Sequence, residues 1–228
     1  MPGKTLFVSI CTPTAGKVEA VYCLSLEAMV LHFLTHPILA QQYQSKNVRY
    51  QLRVGANIGE GRDQMVDVAL EQGDDYVLFI DDDMGFEPQA LNVALSRQMP
   101  IVLANYRRKA PPGVFTAAGI DKDDNTFEIV TTKEKDSLEE AWVGGFGFCL
   151  IQTDVFKQIP KPRFLMTYMP ETDRYTTEDY PFFTACRKAG IMPYVDHRLS
   201  KLCWHVGSYA YQWDDDNLTN AKARNRKE

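Results

Sequence analysis

Apolar positions along the chain switch between a strand-like and a helix-like period, and the switches mark its elements. Residues 6–11 are a short apolar run ending in Thr12-Pro13-Thr14-Ala15-Gly16, the pattern of a strand feeding a loop. Over residues 17–34, Val21, Tyr22, Leu24, Met29, Val30, Phe33 and Leu34 predict a largely buried helix that stops before Pro37. Residues 48–54 alternate as a second strand. Gly59-Glu60-Gly61 then opens a helix with Met65, Val66, Ala69 and Leu70 on one face and Gly73 as its stop. Residues 77–80 form a third strand, branched and aromatic, bounded by Asp74-Asp75 and Gly85. Pro88 fits the first turn of a helix that reaches Gln98, and residues 101–104 are a fourth strand.

This β-α-β-α-β-α-β order predicts an α/β fold of three α/β/α layers, with a mostly parallel central sheet between helices. Ligands of such sheets bind beyond the carboxyl ends of the strands, where Thr12 and Asp81 to Asp83 fall. After residue 105 the pattern changes. Residues 114–118 and 126–131 flank an Asp- and Asn-rich turn as a hairpin, and residues 142–151 are rich in glycine and aromatics. A short helix capped by Thr153 follows. Residues 161–175 read as a loop that moves or orders on binding. Thr177 caps a helix running to Ala189 and ended by Gly190. Residues 192–195 and 201–205 are the last strands, and the chain from Asp214 is a polar, frayed tail. The expectation is one domain over residues 1–213, in which residues 1–105 are a nucleotide-type half and 106–213 complete the site, followed by the tail 214–228.

Composition narrows the class. With 228 residues, 45% apolar and 24% charged, the chain is an ordinary globular protein with one sizeable core. A net charge of −5 gives no overall attraction to nucleic acid or an anionic membrane, leaving only the basic runs Arg107-Arg108-Lys109 and 222–227. The five cysteines lack metal-ligand spacing and lie in apolar stretches, which predicts buried free thiols in a reducing compartment. No apolar run approaches ~18 residues, and the N-terminus lacks the plan of a signal peptide. The expected location is cytoplasmic.

Candidate chemistry concentrates at a few points. Asp81, Asp82 and Asp83 follow the third strand directly. Alternation sends Asp81 and Asp83 to one side, a pair suited to Mg2+ or Mn2+; the other reading is an Asp-rich turn. Glu178 and Asp179, beside Thr177, either favour a helix N-terminus or supply a general base that the helix dipole keeps ionised. His205, in Trp204-His205-Val206-Gly207, is either structural or a further metal ligand, imidazole suiting Mn2+ better than Mg2+. Gly144 and Gly145, with Phe146-Gly147-Phe148, allow close backbone approach and offer aromatic faces for a sugar ring, or else pack tightly in a strand. Arg62 either reaches a diphosphate with its fork or is a solvated first-turn arginine.

In order, strand-Thr-Pro, Gly-Arg-Asp, Phe-Ile-Asp-Asp-Asp-Met, Ile-Val-Leu-Ala-Asn-Tyr-Arg-Arg, Gly-Gly-Phe-Gly-Phe-Cys-Leu-Ile, Thr-Glu-Asp-Tyr-Pro-Phe-Phe and Trp-His-Val-Gly resemble GT-A-fold glycosyltransferases. The likeness is to the small bacterial and phage proteins similar to glycosyltransferase family 2, and it spans residues 6–207. It implies that Asp81 and Asp83 are the DxD pair carrying a divalent metal and the nucleotide diphosphate, with Asp82 between them. Thr12 and Pro13 would lie against base and ribose, Arg62 would face the nucleotide or diphosphate, and His205 would complete the metal site. Glu178-Asp179 would be the acidic motif at the acceptor helix, with Asp179 the base. The acidic residue that often holds the base after the first strand is not matched, so the nucleotide is open, with UDP favoured.

The resemblance implies metal-dependent transfer of a sugar from a nucleotide-diphosphate donor to a hydroxyl acceptor, with inversion; retention is the alternative. A second enzyme class, nucleotidyl transfer, expects a Gly-rich basic loop that Thr12 to Lys17 does not provide. A non-enzymatic reading is a nucleotide-sugar-binding module without turnover. The acceptor stays open among a glycan, a lipid-linked acceptor and, as a minority reading, a hydroxylated DNA base contacted through Arg107-Arg108-Lys109 and the basic tail 222–227. Trp204, Tyr209, Tyr211 and Trp213 are placed to wall it.

Overall fold

Alternation along β3 (Tyr76–Ile80) divides the molecule into two cores. Leu78 and Ile80 enter one core and Val77 and Phe79 the other, all four without accessible surface. A strand covered on both faces belongs inside a layered α/β sheet. The computed structural model describes residues 4–37, 43–55, 57–109, 113–123, 125–170, 173–207 and 210–214. The tail beyond residue 214, the basic run 222–227 and Tyr209 lie outside them.

Before β3 come β1 (Lys4–Thr14), α1 (Ala20–Thr35), β2 (Tyr43–Val54) and α2 (Ile58–Glu71). After it come β4 (Met84–Phe86), α3 (Ala90–Ser96), β5 (Ile101–Leu103), β6 (Ala118–Ile120), β7 (Thr126–Glu128) and β8 (Leu138–Glu140). Next are β9 (Phe148–Gln152), α4 (Thr153–Phe156), β10 (Tyr168–Met169), β11 (Arg174–Tyr175) and α5 (Asp179–Lys188). The last are β12 (Tyr194–Asp196), α6 (His197–Ser200), β13 (Cys203–Val206) and β14 (Ala210–Tyr211).

The main sheet has seven strands in the order β2-β1-β3-β9-β5-β12-β8. It is mostly parallel: β9 enters antiparallel between β3 and β5, and β8 pairs antiparallel with β12 at one edge. One face packs against α1, α3 and α6, the other against α2, α4 and α5, giving three layers. The second core is aromatic. Phe79 meets Phe146 edge-on at 5.3 Å, and Phe164 stacks on Phe182 at 4.9 Å. Such pairs contribute about 0.5–1.5 kcal/mol each beyond their buried area. Among the described residues no helix is long and apolar enough to cross a membrane.

Several expectations need correction. α1 is not largely buried: Leu24, Leu31 and Leu34 lie on its exposed side, beside a core face of Tyr22, Met29 and Phe33. Cys23 is exposed, while Cys11, Cys149, Cys186 and Cys203 are buried thiols as expected. Thr153 does not cap α4; its hydroxyl donates to the Asp74 carbonyl at 2.6 Å. Thr177 precedes Glu178, which takes the cap position of α5. The segment 161–175, expected as a loop, carries the small β10–β11 hairpin. β4, β8 and α6 were not legible. Met84-Gly85-Phe86 is too short to show a period, and it is a strand because it pairs with β13.

Candidate functional site

The site is built where β3 ends. The chain does not stay extended through its aspartates: the Met84 amide donates to the Asp81 carbonyl at 3.2 Å, a turn that leads into β4. The expected alternation therefore fails, and the three carboxylates part company. β4 pairs antiparallel with β13, His205 opposite Met84, and the Val206 amide donates to the Asp83 carbonyl at 2.8 Å. That ladder sets His205 Nε2 3.2 Å from Asp83 Oδ1. Asp81 instead turns to Arg62, whose Nη2 donates to its Oδ1 at 2.8 Å. Asp82 leans on Thr14 in β1, and burial pushes its carboxyl above the ordinary value.

Arg62 ties two elements together. Its Nε lies 3.4 Å from Glu178 Oε1, so one guanidinium bridges the β3 end and the start of α5. It is 2% exposed and sits between the rings of Phe79 and Phe146, at 5.0 and 4.8 Å. Burial disfavours its charge, but Asp81 and Glu178 outweigh this and strengthen its hold on the proton. It is not a solvated arginine. Nη1 is buried without a hydrogen-bond partner among the described residues.

Asp83 is held from its other side by Lys109. Burial alone would raise its carboxyl; the hydrogen bond and charge of His205, together with Lys109, overcome this and hold it below the usual range. His205 is oriented from behind, Nδ1 lying 3.1 Å from the Arg107 carbonyl. With Nδ1 donating there, a neutral imidazole turns its Nε2 lone pair toward Asp83 Oδ1. Two acceptors at that distance need a proton or a cation between them. The Arg107 side chain is spent on structure: it donates to the Gly113 carbonyl at 2.8 Å and the Trp213 carbonyl at 3.2 Å, over the Phe115 ring.

The divalent metal expected at Asp81, Asp83 and His205 meets a donor set of two. Among the described residues, Asp83 Oδ1 is buried and faces only His205 Nε2, at 3.2 Å, and that imidazole has its tautomer set by a carbonyl, the usual support of a ligating imidazole. These two fit one divalent cation that shares its remaining positions with substrate oxygens. Asp81 does not join them, being held by Arg62. Among the described residues no group of three or more His, Cys, Asp or Glu side chains has the arrangement of a metal site.

Glu178 and Asp179 come to the same end of the sheet. Asp179 Oδ1 accepts the Tyr180 amide at 2.8 Å and the Thr177 hydroxyl. The helix start was expected to favour its ionised form. Instead burial, seconded by neighbouring Glu178, raises its carboxyl above the ordinary value against the pull of Thr177. Asp179 keeps a solvent-facing edge, yet protein surrounds it closely enough for desolvation to dominate.

Other predicted residues have different duties. β1 runs through Thr12 and Pro13, which therefore lie in the strand and not in a loop; Thr12 is fully buried, with its hydroxyl on the Tyr22 phenol. Gly144 packs on Leu103: a Cβ there would lie 2.7 Å from Cδ1. At Gly145 and Gly147 a Cβ would lie 2.4 Å from the Tyr106 oxygen. These glycines make room for Tyr106, the residue that sequence reasoning missed. Its hydroxyl accepts the Gly147 amide at 2.8 Å, and its ring meets that of His205 edge-on at 4.9 Å. Gly147 in turn accepts the Asp81 amide at 3.2 Å. Only its place beside Arg107 after a buried strand marked it. The Trp204 indole lies over Gly85, which argues for packing there and not for a free acceptor wall.

This mostly parallel sheet between helices has the GT-A fold. No protein-family model matches the chain, and no curated protein sequence matches it. Among solved structures it is similar to A197 from STIV, at 18% identity, over 92% of this chain and 91% of that one, with a TM-score of 0.59. It is also similar to GalNAc-T7, solved with UDP, GalNAc and Mn2+, at 8% identity and a TM-score of 0.55. That match covers 85% of this chain and 43% of the other, so the chain spans less than half of GalNAc-T7. At such identities the likeness is one of fold.

Proposed function

We propose that the chain is a glycosyltransferase that moves a sugar from a nucleotide-diphosphate donor, UDP-linked by preference, to a hydroxyl acceptor. The observation that carries this reading is the division of labour at the end of β3. Asp83 faces His205 and Lys109 on one side, while Arg62 links Asp81 to Glu178, next to Asp179, on the other. Asp83 and His205 would hold a divalent cation, which when bound offsets the charge that develops on the leaving diphosphate. Lys109 adds fixed positive charge to the same end.

In the proposed reaction the acceptor O–H bond breaks, its proton going to Asp179. The freed oxygen bonds to the anomeric carbon as the bond from that carbon to the diphosphate oxygen breaks. The electron pair leaves with the nucleoside diphosphate. Asp179 suits a base because its raised carboxyl holds a proton more firmly than an ordinary aspartate once it has taken one. A single base in line gives inversion. The free thiols suit a reducing compartment such as the cytoplasm.

Calorimetric titration with UDP-, GDP- and dTDP-sugars, each with Mn2+, Mg2+ or chelator, tests the donor half. One nucleotide should bind with metal and lose affinity in Asp83→Ala. No binding under any condition would leave the aspartates as a structural turn.

A further inference from the structure

Charge is unevenly divided across the site, and the division bears on the acceptor. Cations gather on the β13 side: Lys109 touches Asp83, and Arg108 is exposed next to Lys109. On the other side a cleft of about 700 Å³ opens between the first turns of α2 and residues 161–166, with Glu178 at its inner end. That volume lies within the range of about 300–1,000 Å³ usual for small-ligand sites. Four carboxylates line it, Glu60, Asp63, Asp67 and Glu178, against one cation, Lys161. Lys161 is engaged by Asp67, and Arg163, behind the wall, holds Asp63 at 3.0 Å and Asp67 at 3.2 Å. Among the described residues no unengaged cation lines the cleft.

The remaining wall is apolar. Phe164 closes the cleft against Gly59, where a Cβ would lie 2.1 Å from the Phe164 carbonyl oxygen. Ile58, Leu165 and Met166 are 46%, 52% and 59% exposed among the described residues, large apolar surfaces on the cleft wall. Carboxylates that accept from hydroxyls, beside apolar faces for the C–H side of a ring, suit a saccharide. Asp63, Asp67 and Glu178 are paired with Arg163, Lys161 and Arg62. Glu60, with no cation on it among the described residues, leaves an excess of negative charge that disfavours phosphate at close range.

We propose that this cleft is the acceptor subsite and that its acceptor is an uncharged saccharide. This rests on the glycosyltransferase reading above. The acceptor enters along α2 and passes Glu178 to reach Asp179, while the donor diphosphate occupies the cationic side. For the nucleic-acid alternative, Arg108 is the exposed member of its basic run, and the basic tail 222–227 lies outside the described residues. Of the run Arg107-Arg108-Lys109, the first side chain is buried on carbonyls and the third is bound to Asp83.

The test separates binding from turnover, on the full chain. Binding of neutral p-nitrophenyl disaccharides is followed by saturation-transfer NMR, with an oligonucleotide bearing hydroxymethylated cytosine as the anionic competitor. Donor hydrolysis is followed by release of nucleoside diphosphate. Leu165→Asp and Met166→Asp alter exposed positions that the fold does not need. Each should weaken disaccharide binding about tenfold, the equivalent of one lost apolar contact of about 1.4 kcal/mol, with the thermal midpoint of the chain unchanged. Absence of disaccharide binding to the native chain, unchanged binding in both variants, or preference for the oligonucleotide overturns the proposal. Disaccharide binding lost in the variants, but with no nucleoside diphosphate ever released, keeps the saccharide cleft and overturns the transferase reading.

Discussion

Arg62→Met isolates the electrostatic tie that joins the β3 end to α5. Methionine fills much of the space between Phe79 and Phe146 and removes the charge. The arginine side chain is 3% exposed, against 16% for Glu178 and 30% for Asp81. Removing one partner of a buried pair costs about 3–5 kcal/mol, because the other charge is stranded. Asp81 and Glu178 keep some access to water, and the resulting screening reduces the loss to about 2–3 kcal/mol. With a urea slope of about 2 kcal/mol/M, the unfolding midpoint should fall by about 1–1.5 M at unchanged slope. Adding Glu178→Gln removes one stranded carboxylate and should recover part of that loss. Fluorescence-monitored urea unfolding reads both. A midpoint in Arg62→Met within about 0.2 M of the native chain would mean that water already satisfies both carboxylates, refuting the tie.

Three further outcomes follow from the same geometry. His205→Ala should weaken Mn2+-dependent nucleotide binding by at least about 10–100-fold, read by calorimetry, with metal-free binding unaffected. Gly147→Ala puts a methyl 2.4 Å from the buried Tyr106 oxygen and should destabilise by about 1–3 kcal/mol, read as a lower thermal midpoint. The third concerns pH. Burial and Glu178 raise the Asp179 carboxyl above its unfolded value, so its ionised form is disfavoured in the fold. The acid limb of kcat/KM should therefore lie above the ordinary carboxylate value of about 4. By the same sign, Asp179→Asn should abolish transfer with no loss of stability at neutral pH; an acid limb at or below the ordinary value would contradict the assignment.

Much of the fold was legible because its strands are buried on both faces and its helices carry one clear apolar face. β1, β3, β5 and α2 show this in sequence, and the two cores follow from β3 alone. Elements that owe their form to a partner were hidden. β8, Leu138-Glu139-Glu140, has no apolar period and is a strand by pairing with β12. β9 interrupts the parallel order because pairing partners are not encoded in local periodicity. In the site, residue types were legible and their partners were not. The aspartates stood out, but the turn at Asp81–Met84 that separates Asp81 from Asp83 is tertiary, set by the β4–β13 ladder. Gly144 and Gly145 had two readings in sequence, a ligand platform or tight packing, and only the structure shows that their smallness accommodates Leu103 and Tyr106. In sequence Lys109 was only part of a basic run and Tyr106 carried no signal of its own; their roles come from Asp83 and Gly147, which the fold places beside them.

The most direct measurement is release of nucleoside diphosphate from the tightest-binding nucleotide sugar, with Mn2+ and a neutral disaccharide present. It compares the native chain with Asp83→Asn and Asp179→Asn. The account predicts steady release by the native chain, none from Asp83→Asn with donor binding lost, and none from Asp179→Asn with donor binding kept. Release from Asp83→Asn at the native rate would contradict it.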